Sequence, residues 1–389
     1  MADDARRAML AGEHFSSTSG RPVPITASSD TAQPSQPAPK PPVVVTVEEV
    51  ETMKQNSPFL DTSYPMTAYE WFKLVLLLPW TIIKLPIALL GFILVWGITK
   101  LIILGSPINQ PLSPVRSKMM RPFLSFWADI LMRLGFSFWR LPIRGKENIK
   151  AAEEARAIIA FNHVSYMDPY VMVKVFAPCG LAKIGVVKLP FLGDFARALQ
   201  FLFVQRKGTE DKANKLAIQG STTERIAERA ADPRYPLFMV APEATTKSAA
   251  CLLKFSSGAF AAQRPILPVL LHYRAKCFHP GWGSITSTLF HMLRMLSQFS
   301  NSLEVEILPV YVPSSKEKAD PKLYAENVRV LMAQSLGVPL ADAGILDHIR
   351  LKHAGLFVDS SGGRIIQTPR GQKAVQEDMS SQGHPSSSS

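Results

Sequence analysis

A long apolar stretch is the strongest pattern along the chain. From Trp71 to Gly105 hydrophobic residues occupy nearly every position, so that no helical face is polar. Within it, Leu85–Gly105 has 21 residues, and a helix of that length would measure about 31 Å, enough to cross a bilayer. We predict a membrane anchor over residues 71–105, either one span preceded by Leu74–Ile83 or a helical hairpin in one leaflet. A pair of buried helices in a soluble domain is the alternative.

The pattern changes after the anchor, where short apolar runs alternate with amphipathic helical segments. The predicted strands are Ala157–Phe161, Leu181–Val187, Phe201–Gln205, Leu237–Val240, Ile266–Leu271 and Val305–Val310. The predicted helices are Tyr170–Phe176, Thr209–Ala230, Ser284–Phe299 and Pro321–Ser335. This alternation indicates an α/β domain over residues 141–357, with a mostly parallel sheet and helical crossovers.

Three other segments have distinct compositions. Residues 1–57 are rich in Pro, Ser, Ala and Thr and show no hydrophobic periodicity, so we expect them to be disordered. The tail over residues 361–389 ends in four serines and leads to the same expectation. Pro122–Arg140 interleaves aromatic side chains with arginines and predicts an amphipathic segment at a membrane interface.

The overall composition fits a globular domain with a small membrane-embedded part. Hydrophobic residues make up 47% of the chain and charged residues 19%, with a mean hydropathy of +0.09. The net charge of +12 favours anionic partners. Three cysteines cannot form a disulfide framework. Basic residues follow the anchor and an acidic excess precedes it, so we expect the downstream domain to face the cytosol.

The first candidate for chemistry is a histidine and an aspartate that follow the first predicted strand. His163 and Asp168 are five positions apart, so the carboxylate can accept a hydrogen bond from one imidazole nitrogen. The other nitrogen could then take a proton from a hydroxyl group. A loop histidine capped by an aspartate, with no catalytic role, is the structural alternative.

Three further motifs lie at the ends of strands or within them. Phe201–Arg206 ends in a fixed cation suited to phosphate. Pro242, Glu243, Ala244 and Thr245 form a turn that could offer N–H groups and a carboxylate to a polyol or a phosphate. Pro268 interrupts an apolar strand, which suits a sheet edge or the rim of a pocket.

Together these four motifs resemble the ordered motifs of the glycerolipid acyltransferase family: H-x4-D, a strand ending in Arg, Pro-Glu-Gly-Thr, and a Pro-containing strand. The match covers residues 140–275, and Ala182–Gly193 is similar to the family's Lys-x6-Pro-x2-Gly stretch. Lys254–Phe260 and Leu308–Ser314 most resemble the plant-type lysophosphatidylethanolamine acyltransferases, which are related to the lysophosphatidylcholine enzymes.

The resemblance implies acyl transfer from acyl-CoA to the free hydroxyl of a lysophospholipid, without a metal or another cofactor. His163 would be the general base and Asp168 its orienting partner. Lys183 and Arg206 would hold phosphate, while Glu243 and its turn would position the glycerol backbone. Pro242, Ala244, Thr245 and Pro268 would line the substrate site. The resemblance also leads us to expect a location in the endoplasmic reticulum membrane.

Several alternatives remain. The family's glycine after the motif glutamate is Ala244 here, which would be strained if the turn requires a positive φ. A catalytically weakened lipid-binding protein of the same fold is therefore one alternative, and a lysophosphatidate acyltransferase is another. A nucleic-acid-binding protein has only the positive charge in its favour. A serine hydrolase would require a G-x-S-x-G motif, which does not occur.

Overall fold

A five-stranded sheet forms the centre of the protein. The computed structural model describes residues 44–204, 221–247, 250–361 and 363–382. Its strands are β1 (Ile143–Arg144), β2 (Ile158–Phe161), β3 (Leu181–Lys183), β4 (Leu202–Val204), β5 (Met239–Val240), β6 (Ile266–Arg274), β7 (Ser302–Ile307), β8 (Leu356–Val358) and β9 (Ile365–Gln367). The central sheet has the order β1-β7-β6-β2-β5, in which only β6 and β7 are antiparallel. The prediction of a mostly parallel α/β sheet is confirmed.

Helices cover both faces of this sheet. They are α1 (Val47–Asn56), α2 (Ala68–Ile102), α3 (Pro114–Ile130), α4 (Asn148–Ala155), α5 (Asp168–Phe176), α6 (Leu192–Ala198), α7 (Thr222–Ala231), α8 (Thr288–Leu296), α9 (Ser315–Ala319), α10 (Pro321–Leu336), α11 (Ile345–His353) and α12 (Pro369–Gln382). Side chains of α4, α5 and α8 pack on one face, and those of α7 and α10 on the other. Strand β2 is therefore buried along its whole length, as expected for a strand between two helical layers.

The predicted anchor is one continuous helix. α2 has 35 residues and begins at Ala68, where Thr67 caps it by accepting a hydrogen bond from the backbone N–H of Glu70. Pro79 and Pro86 lie inside the helix and do not divide it, so the hairpin alternative is wrong. α2 is long and apolar enough to cross a membrane by length and composition.

The two faces of α2 differ in polarity. Most of its polar side chains are buried against the protein, whereas Lys100 and most of the apolar side chains are exposed. Near the beginning Lys73 donates to Gln298 at 2.6 Å. Lys84, at the middle, donates to the carbonyl of Leu296 at 3.2 Å, and near the end Trp96 donates to Asp194 at 2.8 Å. Both halves of the helix therefore pack on the same domain, and the face turned away from it is apolar.

The predicted interfacial segment is only partly at the surface. Its first part belongs to α3, which starts eight residues earlier than predicted, and Leu131–Gly135 continues it as a π-helical turn. Phe126 and Trp139 are exposed, whereas Phe138 is fully buried in the core beneath the sheet.

The prediction of disorder is wrong for part of both ends. Residues 44–57 contain α1, whose capping box joins Thr46 and Glu49, and residues 363–382 contain β9 and α12. Val45 and Val50 of the first end and Val375 of the second share a separate core cluster with residues between the two ends: Phe59, Leu60, Leu253, Leu351, Ala354, Leu356 and Val358. Each end alone lacks a hydrophobic face wide enough to recognise, but together they bury one. Residues 1–43 and 383–389 lie outside the described residues.

Several predicted elements are shorter or lie elsewhere. The strand predicted over Leu181–Val187 ends at Lys183, and a 3₁₀ helix follows over Ile184–Lys188. The helix predicted over Thr209–Ala230 is described only from Thr222. Pro268 lies in β6, an interior strand, so the interpretation as a sheet edge is wrong, while a place at the rim of a pocket stays a prediction. β6 tolerates it because Pro268 lies at the end of the ladder with β7, where its carbonyl accepts from Leu308 at 3.0 Å.

Candidate active site

His163 and Asp168 meet at the end of β2. His163 lies two residues beyond the strand, and Asp168 is the first residue of α5. The Nδ1 atom of His163 is 2.8 Å from Oδ2 of Asp168. The imidazole is 23% exposed while the carboxylate is completely buried. With Nδ1–H held by the carboxylate, Nε2 is the nitrogen that can accept a proton from a ligand.

Asp168 is fixed by three further donors. The backbone N–H groups of Val164 and Ser165 donate to Oδ2 at 2.7 and 2.9 Å, and the Tyr273 hydroxyl donates to Oδ1 at 2.5 Å. Burial and the neighbouring carboxylate raise the pKa of Tyr273 well above its usual value, so the phenol stays protonated and keeps donating. The carboxylate therefore cannot rotate away from His163 without losing several hydrogen bonds.

Glu243 is buried behind the loop that carries His163, where it binds the backbone of that loop. Its side chain is fully buried, and Oε1 accepts from the backbone N–H of His163 at 2.9 Å. Oε2 accepts from the N–H of Leu253 at 2.9 Å and lies 2.6 Å from the ammonium of Lys247, which is also buried. Both oxygens are thus occupied by protein donors. The expectation that the Glu243 carboxylate contacts glycerol is corrected: its position is that of a positioning residue for His163.

The turn after Glu243 has the strained geometry that a positive φ imposes on alanine. Ala244 has φ = 58°, in the left-handed region, and its N–H donates to the carbonyl of Ala241 at 3.0 Å. A side chain there costs about 1–2 kcal/mol relative to glycine. Ala244 is exposed at the tip of the turn, so its methyl group is accessible from solvent.

The next residue, Thr245, connects the turn to α11. Its hydroxyl lies 2.5 Å from Nδ1 of His348. Burial lowers the pKa of His348 to about 4, so the imidazole that shares this hydrogen bond with Thr245 is neutral at pH 7. His348 stacks on Phe59, with ring centroids 4.5 Å apart and an interplanar angle of 7°. The turn after Glu243 is therefore bound to α11, and α11 in turn packs on Phe59 of the N-terminal segment.

The remaining predicted site residues are less closely tied to the dyad. Pro242 is buried and its carbonyl accepts from the N–H of Ser256 at 2.8 Å. Lys183 is exposed at the end of β3, in the two-stranded sheet with β4. No hydrogen bond or ion pair found in the described part of the chain joins Lys183 to the dyad. Arg206 lies outside the described residues, and the strand before it is present as β4. Phosphate binding by these two cations stays a prediction.

Two residues of the site were not predicted as such. Lys247 lies four residues after Glu243, a spacing that indicates a structural ion pair only when both side chains are known to be buried. Tyr273 lies on the same face of β6 as Leu271 and Val269, the face that α5 covers. Once α5 is known to begin at Asp168, this alternation would direct the Tyr273 hydroxyl toward the carboxylate.

A metal centre has no candidate ligands in the parts of the chain that the structure describes. Within residues 44–204, 221–247, 250–361 and 363–382, no three His, Cys, Asp or Glu side chains are grouped to hold an ion. Metal-independent chemistry stays a prediction, to be tested with a chelator.

Comparison with known proteins agrees with the motifs. Residues 140–272 match the family described as Acyltransferase. The chain is 39% identical over 213 residues to a lysophospholipid acyltransferase of Arabidopsis thaliana, covering 55% of this chain and 52% of that one. A second Arabidopsis lysophospholipid acyltransferase is 30% identical over 314 residues, covering 80% and 55%. Lysophosphatidylcholine acyltransferase 1 of Mus musculus is 31% identical over 265 residues, covering 67% and 47%.

The matched region does not extend over the whole of these relatives. The alignments span about half the length of each of the three. Among solved structures, a 1-acyl-sn-glycerophosphate acyltransferase from Thermotoga maritima aligns with 68% of this chain and 96% of its own. Its TM-score is 0.46 and its sequence identity 17%.

Proposed function

Because this chain belongs to the acyltransferase family, we propose that it transfers a fatty acyl group from acyl-CoA to the free hydroxyl of a lysophospholipid. The observation that carries the proposal is the buried Asp168 carboxylate beside a partly exposed His163 imidazole. That geometry provides a base with one fixed tautomer at an accessible surface. Three protein donors besides His163 fix the carboxylate that orients this base.

In the proposed reaction the lysophospholipid hydroxyl attacks the thioester carbonyl carbon. Its proton passes to Nε2 of His163 as the new C–O bond forms, and Asp168 stabilises the imidazolium that results. When the C–S bond breaks, His163 returns the proton to the sulfur of CoA. The Glu243–Lys247 pair takes no part in proton transfer, and it fixes the backbone that carries His163.

The relatives favour lysophosphatidylethanolamine or lysophosphatidylcholine as the acceptor. A lysophosphatidate acceptor is the second candidate, since the same dyad would serve it. The alternative of a catalytically weakened lipid-binding protein rests on Ala244, and the strained turn is real. Nevertheless the two residues that the chemistry requires are present in productive geometry, which favours an active enzyme.

We also propose that α2 lies in the surface of a membrane, in the endoplasmic reticulum, with the acyltransferase domain on the cytosolic side. Most of its polar residues pack on the domain and its apolar face is exposed along most of the helix. An apolar surface of this length has a large hydrophobic cost in water. Embedding in one leaflet removes this cost and brings a lipid substrate to the same side as His163.

An assay of purified full-length protein in lipid nanodiscs tests the proposal. Lysophosphatidylethanolamine, lysophosphatidylcholine and lysophosphatidate are each combined with saturated and unsaturated acyl-CoAs, and release of the CoA thiol is measured with and without EDTA. We expect lysophospholipid-dependent release that EDTA does not change. Thiol release that is independent of any acceptor would identify a thioesterase, and the absence of release with every pair would favour the lipid-binding alternative.

A further inference from the structure

A basic groove lies on the surface away from the catalytic dyad. It has a volume of about 830 Å³ and is formed by the beginning of α3, the end of α5 and the loop at Arg234. Its lining includes Lys118 and Arg121 of α3, Phe176 of α5 and Arg234. Its size is that of a pocket for a small organic ligand.

The charge of the groove is positive throughout. Three of its lining residues are cationic and none is acidic. Arg234 is already paired with Asp232. Arg121 donates to the carbonyl of Phe176 at 3.3 Å, and its buried Nε has no hydrogen-bond partner. Lys118 is exposed and makes no ion pair with the residues that the structure describes. The guanidinium of Arg121 also lies 3.9 Å from the Glu153 carboxylate in an exposed ion pair. Lys118 is therefore the unpaired cation of the groove, and Arg121 contributes a buried Nε–H that has no partner in the described part of the chain.

The helix that forms the groove also has an exposed apolar stripe. Val115, Met119 and Phe126 are 68%, 55% and 60% exposed, and their spacing places them on one side of α3. A separate face, with Met120 and Leu124, packs into the protein. The basic groove and the apolar stripe are therefore neighbours on one helix. This is the arrangement of a helix whose apolar face enters the acyl region while its cations stay at the level of the headgroups.

The groove is separate from the catalytic centre. α5 begins at Asp168 and ends at Phe176, so its ends are about 12 Å apart. Cys179, three residues after the end of α5, forms a parallel bridge with Phe238. Phe238 directly precedes Met239, which pairs with Ile159 of β2. The end of α5 therefore lies toward the starting ends of the parallel strands, whereas His163 lies beyond their carboxyl ends.

We propose that this groove binds the phosphate of an anionic phospholipid headgroup, at a site distinct from the one where acyl transfer takes place. The proposal rests on the membrane position proposed for α2, because the lipid must reach the groove laterally. The lipid is bound and not consumed, with Lys118 and Arg121 as its ligands. Such a site would stabilise the protein in membranes that contain anionic lipid.

Thermal unfolding of the full-length protein in nanodiscs tests this site. Nanodiscs of phosphatidylcholine alone are compared with nanodiscs containing about 20 mol% phosphatidylglycerol. We expect the anionic lipid to raise the melting temperature by at least about 2 °C through preferential binding to the folded state. Lys118→Ser should lose most of this rise, as should Arg121→Gln. Lys316→Ser, which removes an exposed charge on α9, should keep it.

Two results would overturn the lipid site. The first is equal stabilisation of the wild type, Lys118→Ser and Arg121→Gln by phosphatidylglycerol. The second is stabilisation by free CoA or inorganic phosphate in phosphatidylcholine nanodiscs that Lys118→Ser abolishes, which would assign the groove to a soluble phosphate. Acyl transfer in phosphatidylcholine nanodiscs should be the same for Lys118→Ser and the wild type, so loss of the activity itself would be a separate result.

Discussion

The buried pair of Glu243 and Lys247 supplies the sharpest test at the level of single residues. Lys247→Met leaves an unpaired carboxylate in a dry site, which should lower the free energy of unfolding by about 3–5 kcal/mol. The double variant Glu243→Gln with Lys247→Met removes both charges and keeps one side-chain oxygen, which can accept from the N–H of His163, while the N–H of Leu253 loses its carboxylate acceptor. We expect urea titration to return this variant to within about 1–2 kcal/mol of the wild type.

The activity of the double variant decides between the two roles of Glu243. As a positioning residue it needs only the oxygen that accepts from the N–H of His163, so acyl transfer should remain within about tenfold of the wild type, with little change in KM. If the carboxylate binds substrate, the folded double variant will instead show a large increase in the KM for lysophospholipid.

Ala244 permits a second test of the same turn. At φ = 58° glycine relieves the steric strain of the Cβ atom but adds freedom to the unfolded chain. We expect Ala244→Gly to raise stability by about 0.5–1 kcal/mol, and to raise turnover by up to about fivefold if relaxation of the turn improves the alignment of His163. Ala244→Val, with a β-branched side chain, should lower both. A stable Ala244→Gly with reduced turnover would mean that the methyl group contacts substrate.

At the level of elements, the contact between α11 and the catalytic turn predicts a dependence of stability on pH. The pKa of His348 is lowered to about 4 in the folded protein, against an ordinary value of 6.5. The unfolded chain therefore binds more protons between these two values, and stability falls as the pH drops from about 6.5 to 4. His291, whose pKa is also lowered to about 4, contributes in the same sense.

His348→Asn isolates the contribution of this one histidine. An asparagine side chain can still form a hydrogen bond with the Thr245 hydroxyl, as donor or as acceptor, but does not titrate in this range. Urea unfolding of the variant between pH 7 and pH 4 should show a pH dependence smaller than that of the wild type by roughly one proton. An unchanged slope would mean that His348 is not the titrating group.

Sequence patterns predicted the elements that carry their own signal. The strands around β2 and β6 and the helices α5 and α10 have strong local periodicity, and His163 and Asp168 are close enough in sequence for their contact to follow from one loop. The core cluster that α1, α11 and α12 share could not be predicted in this way. Val45 and Val375 are 330 residues apart, and each lies in a segment whose composition predicts disorder.

The same limit applies to Glu243 and Pro268. Whether a carboxylate faces substrate or supports a loop depends on burial and on a lysine four residues away, and neither is visible in a motif. The position of Pro268 depends on which strand lies beside β6. Strand order comes from tertiary packing and not from local sequence.

For the whole molecule, the packing of α2 predicts that both of its ends lie on one side of the membrane. Ser63→Cys and Gln110→Cys, each made in a Cys277→Ser background, place exposed thiols before and after the helix. In sealed microsomes a membrane-impermeant maleimide should label both from the cytosolic side, while carbonate should not extract the protein. Labelling of only one of the two would mean that α2 crosses the bilayer.

The central claim is that His163 and Asp168 catalyse acyl transfer, and their substitution tests it most directly. In wild-type nanodiscs, labelled acyl-CoA and lysophospholipid should give diacyl product. His163→Ala should reduce turnover at least about 10³-fold, and Asp168→Asn nearly as much, with folding intact by circular dichroism. Product formation by folded His163→Ala at a rate close to that of the wild type would contradict the account.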